Sequence, residues 1–283
     1  MGRLRNIKDN RIGEAGSTVK GVMIYSPFGE LLGGSVGQGI GESGTTQYYD
    51  LGTRMVTGDG RVYRYAKAGA TLIVGQGAKN QEEENYIRYA VIPAAVAAGS
   101  STISVTVNTD DGDKTTNDGA LTANELQGGY IVVFDKTTTN HVVLRMIVSN
   151  TAVTTGGGTT VITVDEPYPL ALEVSTDAAA VMCSPYLNVR SNGAVDTAPV
   201  VGIPTVPATA GQYFWLQTWG ICWVAAHADV GTAADVHEAF FNGDGSLGLH
   251  GDGASLQHAG FGMSTRARGG AQGETFIMLQ ISI

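Results

Sequence analysis

Asp244, His250 and Asp252 fall within NGDGSLGLHGDG (242–253), where two carboxylates and an imidazole could gather around a metal or assemble a hydrolytic site. Asp-Gly is turn chemistry first, because glycine takes positive φ without cost and aspartate bonds its own backbone. A lone histidine, moreover, is usually a surface or core residue. NTDDGDKTTNDG (108–119) offers Asp110, Asp111, Asp113 and Asp118 as oxygen ligands for a hard cation. Counted from Asp111 or Asp113, it lacks glycine at position six and glutamate at position twelve, so it reads as a solvated turn.

Gly39-Ile-Gly-Glu-Ser-Gly44 matches the spacing of a dinucleotide loop, but such a loop needs a strand before it and a helix after it to hold pyrophosphate. TTQYYDLG follows, which is no helix. HExxH and GxxxxGK[ST] are absent, and the histidines at 141, 227, 237, 250 and 258 show no ligand or triad spacing. The chain therefore reads as a non-enzyme with no cofactor and no metal.

Arg61, Tyr63, Arg64, Tyr65 and Lys67 interleave cations with aromatics in GRVYRYAKAGAT, a pattern that can stack on nucleic acid or sugars. The plainer reading is a strand edge or a protein contact. A net charge of -9 favours it, since phosphate binding needs a basic face. Arg3, Arg5, Lys8 and Arg11 form a short basic arm ahead of this acidic body, either a solvated tail or an arm that docks on an acidic surface. Cys183 and Cys222 are too few for a disulfide framework and read as buried thiols, with a single bridge between them left open. No segment has the apolar run of a signal peptide or a membrane span, so a membrane is not expected as a partner.

The elements that must position these residues are strands. Forty glycines and 15% charged residues, with abundant Thr and Val, suit many short strands joined by tight turns. The predicted fold is all-β: two small barrel or sandwich modules, an extended N-terminal arm and one short connecting helix. The arm covers 1–50. A hairpin turning at Asp59-Gly60 and a connector cover 51–100, with the helix drawn from NQEEENYIRYAVIPAAVAAGS (80–100). A first β module follows over 101–186, with STISVTVN, GGYIVVF, HVVLRMIVS and TTVITVD as strands, and a second over 187–283.

GQYFWLQTWGICWV (211–224) holds Trp215, Trp219 and Trp223, every tryptophan in the chain. Glycine inside the run argues against a helix, and the segment reads as a strand bent at Gly220, with the tryptophans on one side and Phe214, Leu216, Cys222 and Val224 on the other. Both faces are apolar, so the strand must be covered twice, within the fold or by another subunit. Arg61, Tyr63, Arg64, Tyr65 and the three tryptophans are accordingly the candidate interface, and Arg3, Arg5, Lys8 and Arg11 the candidate arm contacts.

DLGTRMVTGDGRVYRYAKAGAT (50–71), GGYIVVFD with NHVVLRMIVSN (128–150), and VVGIPTVPATAGQYFWLQTWGICWV (200–224) resemble tailed-phage virion proteins of the capsid decoration or stabilising type. The resemblance implies a structural protein bound in many copies to the outside of a shell, with no catalytic residues. Its expected partners are itself, as a trimer or higher homo-oligomer, and the major capsid protein. Its expected place is the virion surface, after assembly in the host cytoplasm. Two other readings stand beside it, a tube or filament subunit and a glycan- or host-binding spike or fibre module.

Overall fold

The structure is a computed structural model that describes residues 22–27, 37–81, 86–113, 116–136, 141–191, 198–226, 237–248, 257–263 and 275–283. Arg3, Arg5, Lys8 and Arg11 lie outside the described residues, as do His227, His250 and Asp252. The fold is all-β, with no helix among the described residues. Two compact units divide it: Gln81–Leu187 form one, and Met1–Asn80 together with Asn188–Ile283 form the other.

The unit inserted in the middle of the chain is a nearly closed six-stranded barrel. The larger unit supplies β1 (Met23–Tyr25), β2 (Arg54–Val56), β3 (Val62–Lys67) and β4 (Ala78–Lys79) before it. The barrel then comprises β5 (Ile87–Val91), β6 (Thr102–Val107), β7 (Tyr130–Asp135), β8 (His141–Asn150), β9 (Gly158–Val164) and β10 (Ala178–Met182). Its spatial order is β5-β10-β7-β8-β9-β6, and every pair is antiparallel. Alternation sends Ile103, Val105, Ile131, Val133, Ile147 and Ile162 inward, all buried.

The helix expected over 80–100 is not formed there: Ile87–Val91 is strand β5, paired antiparallel with β10. The physical reason lies in IRYAV itself. Its β-branched and aromatic side chains fit a pleated strand, with Ile87 facing in and Tyr89 and Val91 facing out, and this tertiary pairing overrides the weak helix signal of the preceding acidic residues.

The larger unit continues with β11 (Val200–Pro204), β12 (Tyr213–Trp223), β13 (Glu238–Phe241), β14 (Leu247–Gly248), β15 (Gln257–Gly262) and β16 (Phe276–Gln280). Its sheet runs β1-β2-β3-β12-β16-β15-β13-β14, and β11 pairs with β12 and β4. The hairpin read at Asp59-Gly60 joins β2 to β3, with Gly60 at φ 84° and its N–H donating to Thr57 O.

Strand β12 is the spine of this sheet. Its register against β3 slips between Gln217 and Trp219, and Gly220 sits at φ 93° there, where an added Cβ would lie 3.1 Å from Arg61 Cα. Before that bulge, Trp215 packs in a core with Tyr63, Tyr65, Met55 and Ile24. Beyond it, Cys222 and Val224 pack in a second core with Phe241, Leu247, Ile277 and Leu279.

Part of the segment read as an extended arm belongs to the first of these cores. Met23–Tyr25 pairs with β2, and Gln38 is buried, its amide oxygen accepting from Tyr65 Oη at 2.5 Å and its carbonyl accepting from Trp215 Nε1 at 2.9 Å. Gly44 bridges Tyr213.

Candidate interaction surfaces

The two sides of the barrel are clothed differently. Strands β6 and β9 turn Thr102, Ser104 and Thr106 outward opposite Thr163, Val161 and Thr159, the polar coat expected where a strand meets water. Strands β5, β10, β7 and β8 do not follow that rule. Their outward positions fall in cross-strand rows: Val91, Ala178, Phe134 and Val142; then Ala180, Val132 and Leu144; then Met182, Tyr130 and Met146.

These outward side chains are apolar and reach solvent: Tyr89 is 49% exposed, Val91 47%, Tyr130 37%, Val142 62% and Leu144 59%. The face is also grooved. Ala178 and Ala180 leave a low floor between bulkier neighbours, and Tyr130, Val132, Leu144, Ala180 and Met182 line an indentation of about 280 Å³. Tyr89 meets Phe134 edge-to-face at 5.3 Å, and Lys136 holds its ammonium 4.8 Å from the Tyr89 ring centroid. Lys136 follows β7 directly, and the exposed Arg88 of β5 is paired with Asp110.

A second apolar face lies on the larger unit. Register places Ile221 beside Met278 and Met278 beside Phe261, and the row ends at Glu238. Trp223 pairs with Phe276 in the next row, where Met263 N donates to Phe276 O. Ile221, Phe261 and Phe276 are 44%, 39% and 48% exposed, and Trp219 and Trp223 are half-buried.

Tyr63, Tyr65 and Trp215 are a correction to the interface read from the sequence. All three have zero exposure and belong to the core, so none offers surface to a partner. Tyr65 lies 4.9 Å from Trp215 ring to ring, and Tyr49 sits 5.3 Å from both. Arg61 donates to Tyr63 Oη at 2.8 Å and to Asp59 Oδ2 at 2.7 Å. Arg64 is tied to the carbonyls of Gly52 and Ile283, and Lys67 lies over the Tyr213 ring. The interleaved cations and aromatics thus hold the fold together instead of forming a stacking platform. Trp219 and Trp223 stay at the surface, and Ile221, Phe261, Met263, Phe276 and Met278 join them.

The barrel's apolar face escaped the sequence reading, although YIVVFD and VVLRMIV carry apolar residues at both parities, which signals cover on both sides.

The acidic loops do structural work. Asp111 is buried, and its carboxylate accepts from Asn108 N, Asn108 Nδ2 and Arg88 N. Asp110 pairs with Arg88. Asp244 Oδ1 accepts from Ser246 N and Oγ, closing the Asn242–Ser246 turn. No three His, Cys, Asp or Glu among the described residues are grouped to hold a metal ion. Gly39–Gly44 forms a loop in which Glu42 Oε2 accepts from Gly39 N, and no helix follows it through Asp50. Cys183 and Cys222 are both free and buried, and burial pushes the Cys222 thiol up to about 12.

Burial also dominates the tyrosines. It raises Tyr63 to about 12 against the opposing pull of the Arg61 charge, and raises Tyr65 to about 12 against the hydrogen bond from Tyr48 N. An unfolded chain ionises its tyrosines near 10, so stability is fully present below that pH and is lost as pH rises through the folded value near 12. Each residue contributes about 2–3 kcal/mol to that loss. In an alkaline titration followed at 295 nm and by circular dichroism, these two tyrosines should ionise together with loss of structure. Complete ionisation near pH 10 with the sheet intact would refute the assignment.

Fold and surfaces together define a class: an all-β, two-unit protein whose described residues present solvent-facing apolar sheet surface and no metal cluster. No protein-family model, curated protein or solved structure matches the chain.

Proposed function

We propose that this is a non-enzymatic structural protein of a virion, which self-associates and binds the outside of a phage capsid to stabilise its lattice. The observation that carries the reading is the apolar outer face of β5-β10-β7-β8. A soluble monomer rarely leaves a contiguous apolar patch of more than a few hundred Å² in water, and larger ones mark interaction sites. Low charge density and tightly turned strands suit a part held among many copies of its neighbours. The partners are other copies of the chain and the capsid protein beneath them.

The presence of two unlike apolar faces also favours a second reading, a tube or filament subunit, because unlike faces repeat head to tail and a rotation that does not close gives an open helix. Electron microscopy and peptide mass spectrometry of particles from the source material test both. The first reading expects many copies on an icosahedral shell, and the second expects open-ended tubes. Absence of the protein from any particle would overturn both.

A further inference from the structure

We infer that a second copy of this chain covers the barrel's apolar face, and that it does so with its Ile221/Phe261/Phe276 face in a head-to-tail contact. This rests on the self-association part of the reading above and not on the particle the protein serves.

Size comes first. Tyr89, Val91, Tyr130, Val142 and Leu144 leave on the order of 500 Å² in solvent, near the top of the roughly 300–600 Å² of the largest patch on a typical monomer. With the half-buried Val132, Phe134, Met146 and Met182 around them, the face approaches the roughly 800 Å² that one partner gives to a standard interface.

Shape and chemistry then choose the occupant. The barrel face is grooved over Ala180, with room for a large side chain beside Leu144. The other face carries bulky groups, Trp219, Ile221, Trp223, Phe261 and Phe276, mostly of the aromatic type that anchors interfaces by filling pockets. Methionines at both places, Met182 and Met278, adapt to an imperfect fit.

Charge agrees. Lys136 stands by Tyr89 at the barrel face, where Arg88 is already paired with Asp110, and the Ile221-Met278-Phe261 row ends at the carboxylate of Glu238. Joining unlike faces gives Lys136 and Glu238 opposite partners. A two-fold pairing of like faces brings Lys136 toward Lys136 or Glu238 toward Glu238.

The test uses the purified full-length chain without particles. Leu144→Glu spoils the groove and Ile221→Glu spoils the bulky face; both residues are largely exposed, so the fold tolerates the change, which circular dichroism checks. By mass photometry and sedimentation velocity, the wild type should form species above the dimer, and each variant alone should stay monomeric. Mixed one to one, the variants should form dimers and nothing larger, since each supplies the one sound face the other lacks.

Val142→Glu with Phe276→Glu, at equally exposed positions, repeats the test independently. A wild type that stays monomeric at tens of micromolar overturns the inference, as does a mixture that stays monomeric. Continued self-association of Ile221→Glu alone also overturns it and assigns a like-to-like barrel contact. None of these results depends on whether the protein is found on a capsid, so failure here and failure of the virion reading are separate events.

Discussion

Trp215→Ala is expected to destabilise the larger unit by about 3–5 kcal/mol, the cost of emptying a fully buried aromatic site. Three losses coincide. The indole leaves a cavity among Tyr63, Tyr65, Met55 and Ile24. Tyr65 and Tyr49 lose ring partners at 4.9 and 5.3 Å. The Gln38 carbonyl loses its donor at 2.9 Å, which alone costs about 1–3 kcal/mol if no water replaces it. Denaturant unfolding monitored by fluorescence of the remaining tryptophans gives the number. Trp215→Phe should recover most of the packing and none of the hydrogen bond, so its cost should fall between the wild type and alanine. An alanine variant with wild-type stability would mean that the indole does not occupy this core.

Gly260→Ala should be comparably severe for a different reason. Gly260 lies in β15 at φ 141°, and a Cβ there would come 1.9 Å from the Met278 carbonyl oxygen of the adjacent strand. Backbone cannot yield as a side-chain tip does, so β15 must move away from β16 or the pairing of Gly260 with Leu279 must break. We expect a loss above about 3 kcal/mol, or failure to fold. Gly243→Ala is the control: its added Cβ meets nothing within 4 Å, and its effect should stay within about 0.5 kcal/mol. Equal effects of the two substitutions would refute the close approach of β15 to β16.

Strands whose signal was local were legible in the sequence. STISVTV alternates cleanly and forms β6, and Asp59-Gly60 marks the turn between β2 and β3. Gly220 interrupts the tryptophan segment where the register slips. What stayed hidden depends on partners far along the chain. IRYAV pairs with AAAVM, about ninety positions later, and no nearby residue announces it. Tyr63 and Tyr65 look like a binding platform until Trp215 and Gln38 close over them. The barrel's docking face had a visible sign in YIVVFD, but the alanine floor comes from β10, and only the assembled register shows a groove.

The interruption of the larger unit by the barrel has a consequence for synthesis. Lys79 and Arg190 exchange N–H to O=C bonds of 2.9 and 3.0 Å, so the chain departs from one point and returns to the same point. Everything the barrel needs lies between Gln81 and Leu187, whereas β3 must wait for β12 before the tyrosine and tryptophan core can form. On the ribosome, the barrel can therefore close while β3 still lacks its partner β12. During that interval the Tyr63/Tyr65 hairpin is exposed. Misfolding of a slowly translated chain should begin there, and a bridge of a few residues replacing the barrel between Asn80 and Asn188 should shorten the wait.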